Sequence, residues 1–139
     1  MRREVILNTT GLWSGYGGKP VLQGVDMQVH EGEIVAVIGR NGVGKSTLMK
    51  SLIGLLPTDK GSVVFRGSAI DTLSAHKRAR LGIGYVPQGR DVFPRMSVLE
   101  NLAIGEEISG KRAPKDRLDQ IFSFFPILAE RRDQRAGTM

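Results

Sequence analysis

The chain has 139 residues, 40 % hydrophobic and 24 % charged, with no cysteine, a composition that predicts one soluble globular domain and excludes a disulfide framework or thiolate metal site. No apolar run nears the roughly 18 residues of a membrane span, and MRREVILNTTGLW, interrupted by Asn8 and two threonines, lacks the form of a secretory signal. Lysine and arginine exceed aspartate and glutamate by 20 to 14, a net charge of +6, which admits nucleic acid, phosphate ligands, an anionic membrane surface or simply a solvated basic face.

Along the chain, Val25, Met27 and Val29 alternate with Asp26, Gln28 and His30, the period of a half-buried strand with His30 facing solvent. Glu31-Gly32 supplies a turn. Ile34 to Ile38 is a continuous β-branched-rich run, the pattern of a strand buried on both faces in a parallel sheet. KSTLMKSLIGLL sets Leu48, Leu52 and Leu55 at helical spacing, and Gly54 and Pro57 mark the end. SVVFRG and IGYVP read as short strands separated by a short basic helix, AHKRAR. Without interleaved aromatics, that basic segment predicts a solvated face rather than a nucleic-acid platform, with His76 in water. Ser97-Val98-Leu99-Glu100 has the form of a capping box, so a helix opens at Ser97. From Pro114 a further helix carries Leu118, Ile121, Phe122 and Phe125 on one stripe, expected to be core or a subdomain interface.

The segment GRNGVGKST, from Gly39 through Arg40, Asn41, Gly42, Val43, Gly44, Lys45 and Ser46 to Thr47, matches G-x-x-x-x-G-K-[ST] in full. Its glycines let consecutive N–H groups converge on phosphate oxygens. Lys45 brings a point charge to the β- and γ-phosphates, and the Ser46 hydroxyl can complete the shell of a Mg²⁺ ion. The following helix adds its unpaired N–H groups and the positive end of its dipole. About one per cent of shuffled chains would contain this string, and the expected strand before it and helix after it favour a phosphate cradle over a plain glycine turn.

Tyr16 in GYGGKPVLQGVDM, Gln88 in IGYVPQGRDVFPRMSVLENL and the link GLLPTDKGSVVFRG surround this loop. Together they resemble the ATP-binding subunits of ABC transporters from about residue 4 to 139. The chain is most similar to the smaller ATP-binding subunit of importers for branched-chain amino acids or urea, with GRNGVGKST and VPQGR leaning to the urea type. The resemblance implies an α/β P-loop NTPase fold of the ABC ATPase type. Residues 1–94 would carry an antiparallel β part, the P-loop strand and helix and the Q-loop strand, and residues 95–139 the start of a helical subdomain. It implies ATP and Mg²⁺ as ligands: Tyr16 stacks on adenine, residues 39–47 hold the phosphates, and Ser46 and Gln88 hold the metal. The implied partners are membrane-spanning permease subunits, touched by the Gln88 to Leu99 region, and a second ATP-binding subunit. The implied location is peripheral, on the cytoplasmic face of the plasma (inner) membrane, and nucleic acid is not a partner.

Other parts of the family pattern have no counterpart in these residues. A Leu-Ser-Gly-Gly-Gln-type signature would follow AGT near Met139, no apolar run is followed by Asp-Glu, and neither histidine lies where the family's switch histidine belongs. The sequence therefore reads as a cassette cut before its signature, with no catalytic carboxylate of its own. The resemblance implies that the intact subunit couples ATP binding and hydrolysis to import; a nucleotide-binding module without turnover, and more remotely a basic nucleic-acid-binding protein, are the alternatives. In the family fold the strands that bridge Ile34–Ile38 and Gly84–Val86 belong to the missing part. Each buried backbone group left unpaired would cost about 1–3 kcal/mol against a total stability of roughly 5–15 kcal/mol.

Overall fold

A computed structural model of the chain describes residues 3–89, 91–110 and 114–139, in two compact units that divide between Arg78 and Ala79. The first unit is built on two long strands, β1 (Val5–Tyr16) and β2 (Lys19–His30), joined by a tight turn. Helix α1 (Lys45–Leu52), strands β3 (Lys60–Phe65) and β4 (Ser68–Ala69), and helix α2 (Ala75–Arg80), which runs across the division, follow. The sheet has the order β2-β1-β3-β4, and every pairing is antiparallel.

On β2, Val25, Met27 and Val29 are half-buried while Asp26 and Gln28 are exposed, as the alternation predicts. The strand also extends back to Lys19, ahead of that pattern. β1 has no clear period in the sequence because its pairing with β2 changes register between Thr9 and Leu12 and again on either side of Ser14. Such irregularities put an extra residue into the strand and reverse the face its side chains occupy. Thr9, Leu12 and Ser14 are all buried as a result.

The core of this unit consists of Leu12, Leu22 and Val63 from the sheet, Leu48 and Leu52 from α1, and Ile70. Burying such a side chain stabilises the fold by roughly 1.5–3 kcal/mol. Three buried hydroxyls find partners. Thr9 Oγ1 donates to the Val25 carbonyl at 3.0 Å, Ser14 Oγ to the Pro57 carbonyl at 2.7 Å, and Ser51 Oγ to Ser14 Oγ at 2.7 Å. The last bond ties α1 to β1.

Two expected strands are corrected. Residues 33–40 form no strand, and Ile34 and Ile38 are 98 % and 93 % exposed. Residues 83–87 form none either, and Val86 is 92 % exposed. A β-branched run becomes a strand when a neighbour accepts and donates along its backbone, and among the described residues no segment pairs with these two. Leu55 also falls outside its expected helix: α1 stops at Leu52, the Gly54 N–H turns back to the Ser51 carbonyl at 3.2 Å, and Leu55 is exposed. His30 is half-buried rather than free in water, with its Nδ1 3.0 Å from Glu33 Oε2.

In the second unit, helices α3 (Val98–Ser109), α4 (Arg117–Phe124) and α5 (Pro126–Glu130) precede a 3-10 turn at Ala136–Thr138. The capping box forms as expected: the Ser97 N–H donates to Glu100 Oε2 at 2.7 Å and the Glu100 N–H to Ser97 Oγ at 3.1 Å. Segment 132–137 lies along the start of α3, with the Val98 N–H on the Gln134 carbonyl and the Ala136 N–H on the Met96 carbonyl. The apolar stripe after Pro114 is not core: α4 starts at Arg117 and has no buried residue, Ile121 and Phe122 are half-buried, and Leu118 and Phe125 are exposed. The amphipathic period fixes which face is apolar, but burial needs an opposing surface. Among the described residues no helix is long and apolar enough to cross a membrane.

Candidate nucleotide site

The loop from Gly39 to Thr47 closes on itself at the start of α1. Gly44 is the residue before the helix and takes φ 110°, a conformation side chains disfavour. A Cβ there would also lie 3.1 Å from Leu22 Cδ2 and 3.3 Å from Val21 Cγ1, so glycine lets the loop rest directly on β2. The first intrahelical bond runs from the Leu48 N–H to the Gly44 carbonyl at 2.8 Å. The N–H groups of Lys45, Ser46 and Thr47 therefore have no acceptor within the helix. No side chain caps them and no acidic residue stands in the first turn, so the positive end of the helix dipole is not neutralised locally.

Lys45 Nζ donates to the Gly39 carbonyl at 2.5 Å and to the Arg40 carbonyl at 2.7 Å, which holds the ammonium inside the loop. A Cβ on Gly39 would come within 2.9 Å of Val43 Cγ2, so the loop closes tightly at its first residue as well. Arg40, Asn41, Gly42, Val43 and Ser46 are exposed, whereas the Thr47 side chain is buried beneath the helix. Tyr16 ends β1 with its ring about half exposed and Lys50 Nζ of α1 5.8 Å from the ring centroid.

Gln88 belongs to the second unit, where it is exposed in a bend. Arg90, the last residue of VPQGR, lies outside the described residues. An apolar cavity lined by Val86, Val92, Val98, Leu102 and Leu128 adjoins this bend. The Asn101 side chain braces the stretch that follows, accepting from the Phe93 N–H at 2.8 Å and donating to the Ser97 carbonyl at 2.9 Å. No group of three or more His, Cys, Asp or Glu that could hold a metal ion occurs among the described residues.

One residue at the far end of α1 has no signal in the sequence. Arg78, expected on a solvated basic face, is fully buried and donates to carbonyls at the end of α1. Lys77 and Arg80 flank it in the same basic run, so no apolar period distinguishes the inward position from its neighbours.

The profile of the ABC transporter family matches residues 22–138. The chain belongs to the ABC transporter family. It is 40 % identical over 134 residues to the probable branched-chain amino acid transport ATP-binding protein LivF of Archaeoglobus fulgidus, covering 96 % of this chain and 57 % of that protein. It is 42 % identical over 124 residues to the high-affinity branched-chain amino acid transport ATP-binding protein BraG of Pseudomonas aeruginosa, covering 89 % of this chain and 53 % of that protein. The chain thus spans about half the length of the curated relatives it matches. Among solved structures, a nucleotide-free ATP-binding cassette from an ABC transporter superposes with a TM-score of 0.78 at 31 % identity, over 97 % of this chain and 59 % of that one. An ATP-binding subunit of an ABC transporter superposes with a TM-score of 0.82 at 28 % identity, over 94 % of this chain and 54 % of that one. The fold is therefore the α/β P-loop NTPase fold of ABC ATPases, present in part.

Proposed function

We propose that this chain is the nucleotide-binding part of an ATP-binding subunit of an ABC importer, and that it holds ATP with Mg²⁺ at Gly39 to Thr47. The observation that carries this reading is the closed loop at the uncapped start of α1, with the Lys45 ammonium inside it. Such a loop fits a polyphosphate: its glycines leave room for the backbone to approach, its helix supplies orphan N–H groups, and no acidic side chain in the first turn repels the anion. Lys45 exchanges its two carbonyl contacts for phosphate oxygens, the amides of residues 42–47 orient them, and Tyr16 stacks on the base. The exposed Ser46 hydroxyl suits Mg²⁺, which neutralises phosphate charge when bound, and Gln88 is the second residue proposed for it.

The identity to two branched-chain amino acid transport proteins favours an importer of that class over the urea type. In such an importer residues 1–94 form the nucleotide-binding core, and residues 95–139 begin the helical subdomain. The partners are membrane-spanning permease subunits, met near Gln88 to Leu99, and a second ATP-binding subunit, with the assembly on the cytoplasmic face of the membrane. In the whole subunit, ATP binding and hydrolysis at this site are coupled to transport.

The test is ATP titration of the chain and of Lys45→Ala. Loss of the charge-assisted contact should weaken binding by roughly tenfold to a hundredfold. Equal affinity of the two proteins would remove the site.

A further inference from the structure

We propose that Arg78 is a positioning residue for the phosphate loop, fixing α1 by its C-terminal end so that Lys45, Ser46 and Thr47 are held in place to receive phosphates. The proposal rests on the nucleotide reading above.

The Arg78 guanidinium is 1 % exposed and meets four carbonyls from two stretches of chain. Nη1 donates to the Ser51 carbonyl at 2.8 Å and the Leu52 carbonyl at 2.9 Å, the last two residues of α1. Nε donates to the Leu73 carbonyl and Nη2 to the Asp71 carbonyl, both at 3.0 Å. Each hydrogen bond ends on a backbone oxygen, so the buried charge is met chiefly by carbonyl dipoles, including those at the negative end of the α1 dipole. Burial lowers the guanidinium pKa from its ordinary value, and the nearby charge of Asp71 opposes that shift. A lysine could supply the charge but not this rigid fork.

The chain leaves α1 in a way that admits the guanidinium. Gly54 takes φ 81°, and a Cβ there would stand 2.9 Å from Arg78 Nε and 3.1 Å from the Ala75 nitrogen. The final turn of α1 is thus held both by Arg78 and by the Ser51–Ser14 hydroxyl contact. A helix of eight residues is a rod of about 12 Å. Any tilt released at its C-terminal end therefore displaces the N–H groups and the lysine at its other end.

The experiment compares the affinities of ATP and of adenosine for the unmodified chain, Arg78→Met and Arg78→Lys. Adenosine engages the base subsite but not the phosphate loop, so loss of positioning weakens ATP selectively. Arg78→Met is expected to bind ATP about tenfold more weakly, the effect of one lost charge-assisted hydrogen bond, with adenosine affinity unchanged. Arg78→Lys should recover part of the loss, and it provides the same comparison if Arg78→Met fails to fold. ATP and adenosine affinities that fall in parallel, or an unchanged ATP affinity, would overturn the proposal. Failure of the unmodified chain to bind ATP would instead overturn the nucleotide reading on which the proposal depends.

Discussion

Two β-branched runs in the first unit have opposite fates. Val63 and Val64 of β3 sit in a sheet, with Val63 fully buried, while Ile34 to Ile38 runs without a strand partner and exposes Ile34 almost completely. Both runs have the composition of strands. What separates them is pairing: Thr9 and Asn8 of β1 lie opposite Val63 and Val64, and among the described residues nothing lies opposite 34–38. Strand propensity therefore acts here as a fit to a neighbour, not as an intrinsic preference.

The contrast predicts a graded response to substitution. Leu12→Ala, in the buried face of β1, should cost about 2–5 kcal/mol in denaturant unfolding of the chain. A loss below 1 kcal/mol would mean that this sheet is not the source of stability. A smaller effect belongs to the junction of the two regions, where the His30 N–H donates to Glu33 Oε2 at 2.7 Å. That N–H, and then the imidazole, hold the Glu33 carboxyl below its ordinary pKa. Because the folded-state value is depressed, the stabilisation is present above the carboxyl's unfolded pKa and disappears as pH falls through the folded value. Melting temperatures of the chain and of Glu33→Gln should differ at neutral pH and converge in acid, and a pH-independent difference would disprove the link. The smallest effect should come from Ile34→Ser, within about 0.5 kcal/mol in the same unfolding experiment. A large loss there would show that the exposed run is paired in solution.

The parts legible in the sequence were those whose cause is local. The capping box at Ser97 depends on residues three places apart and forms as its spacing implies. The alternation on β2 was legible for the same reason. Features set by distant chain were not. β1 hides its period behind changes of register, and among the described residues Ile34–Ile38 and Gly84–Val86 lack neighbours that would make them strands and the stripe from Leu118 to Phe125 lacks an opposing surface. Arg78 is the extreme case. Its burial depends on carbonyls at residues 51, 52, 71 and 73 and on the absence of a side chain at Gly54, none of which a basic hexapeptide reveals.

The most direct test of the nucleotide site is an amide NMR titration of the chain with ATP and Mg²⁺. Shifts should concentrate on Gly42, Gly44, Lys45, Ser46 and Thr47, with a smaller group near Tyr16 and little change in the β3–β4 hairpin. Saturable shifts confined to other parts of the chain, or none in the loop, would contradict the account.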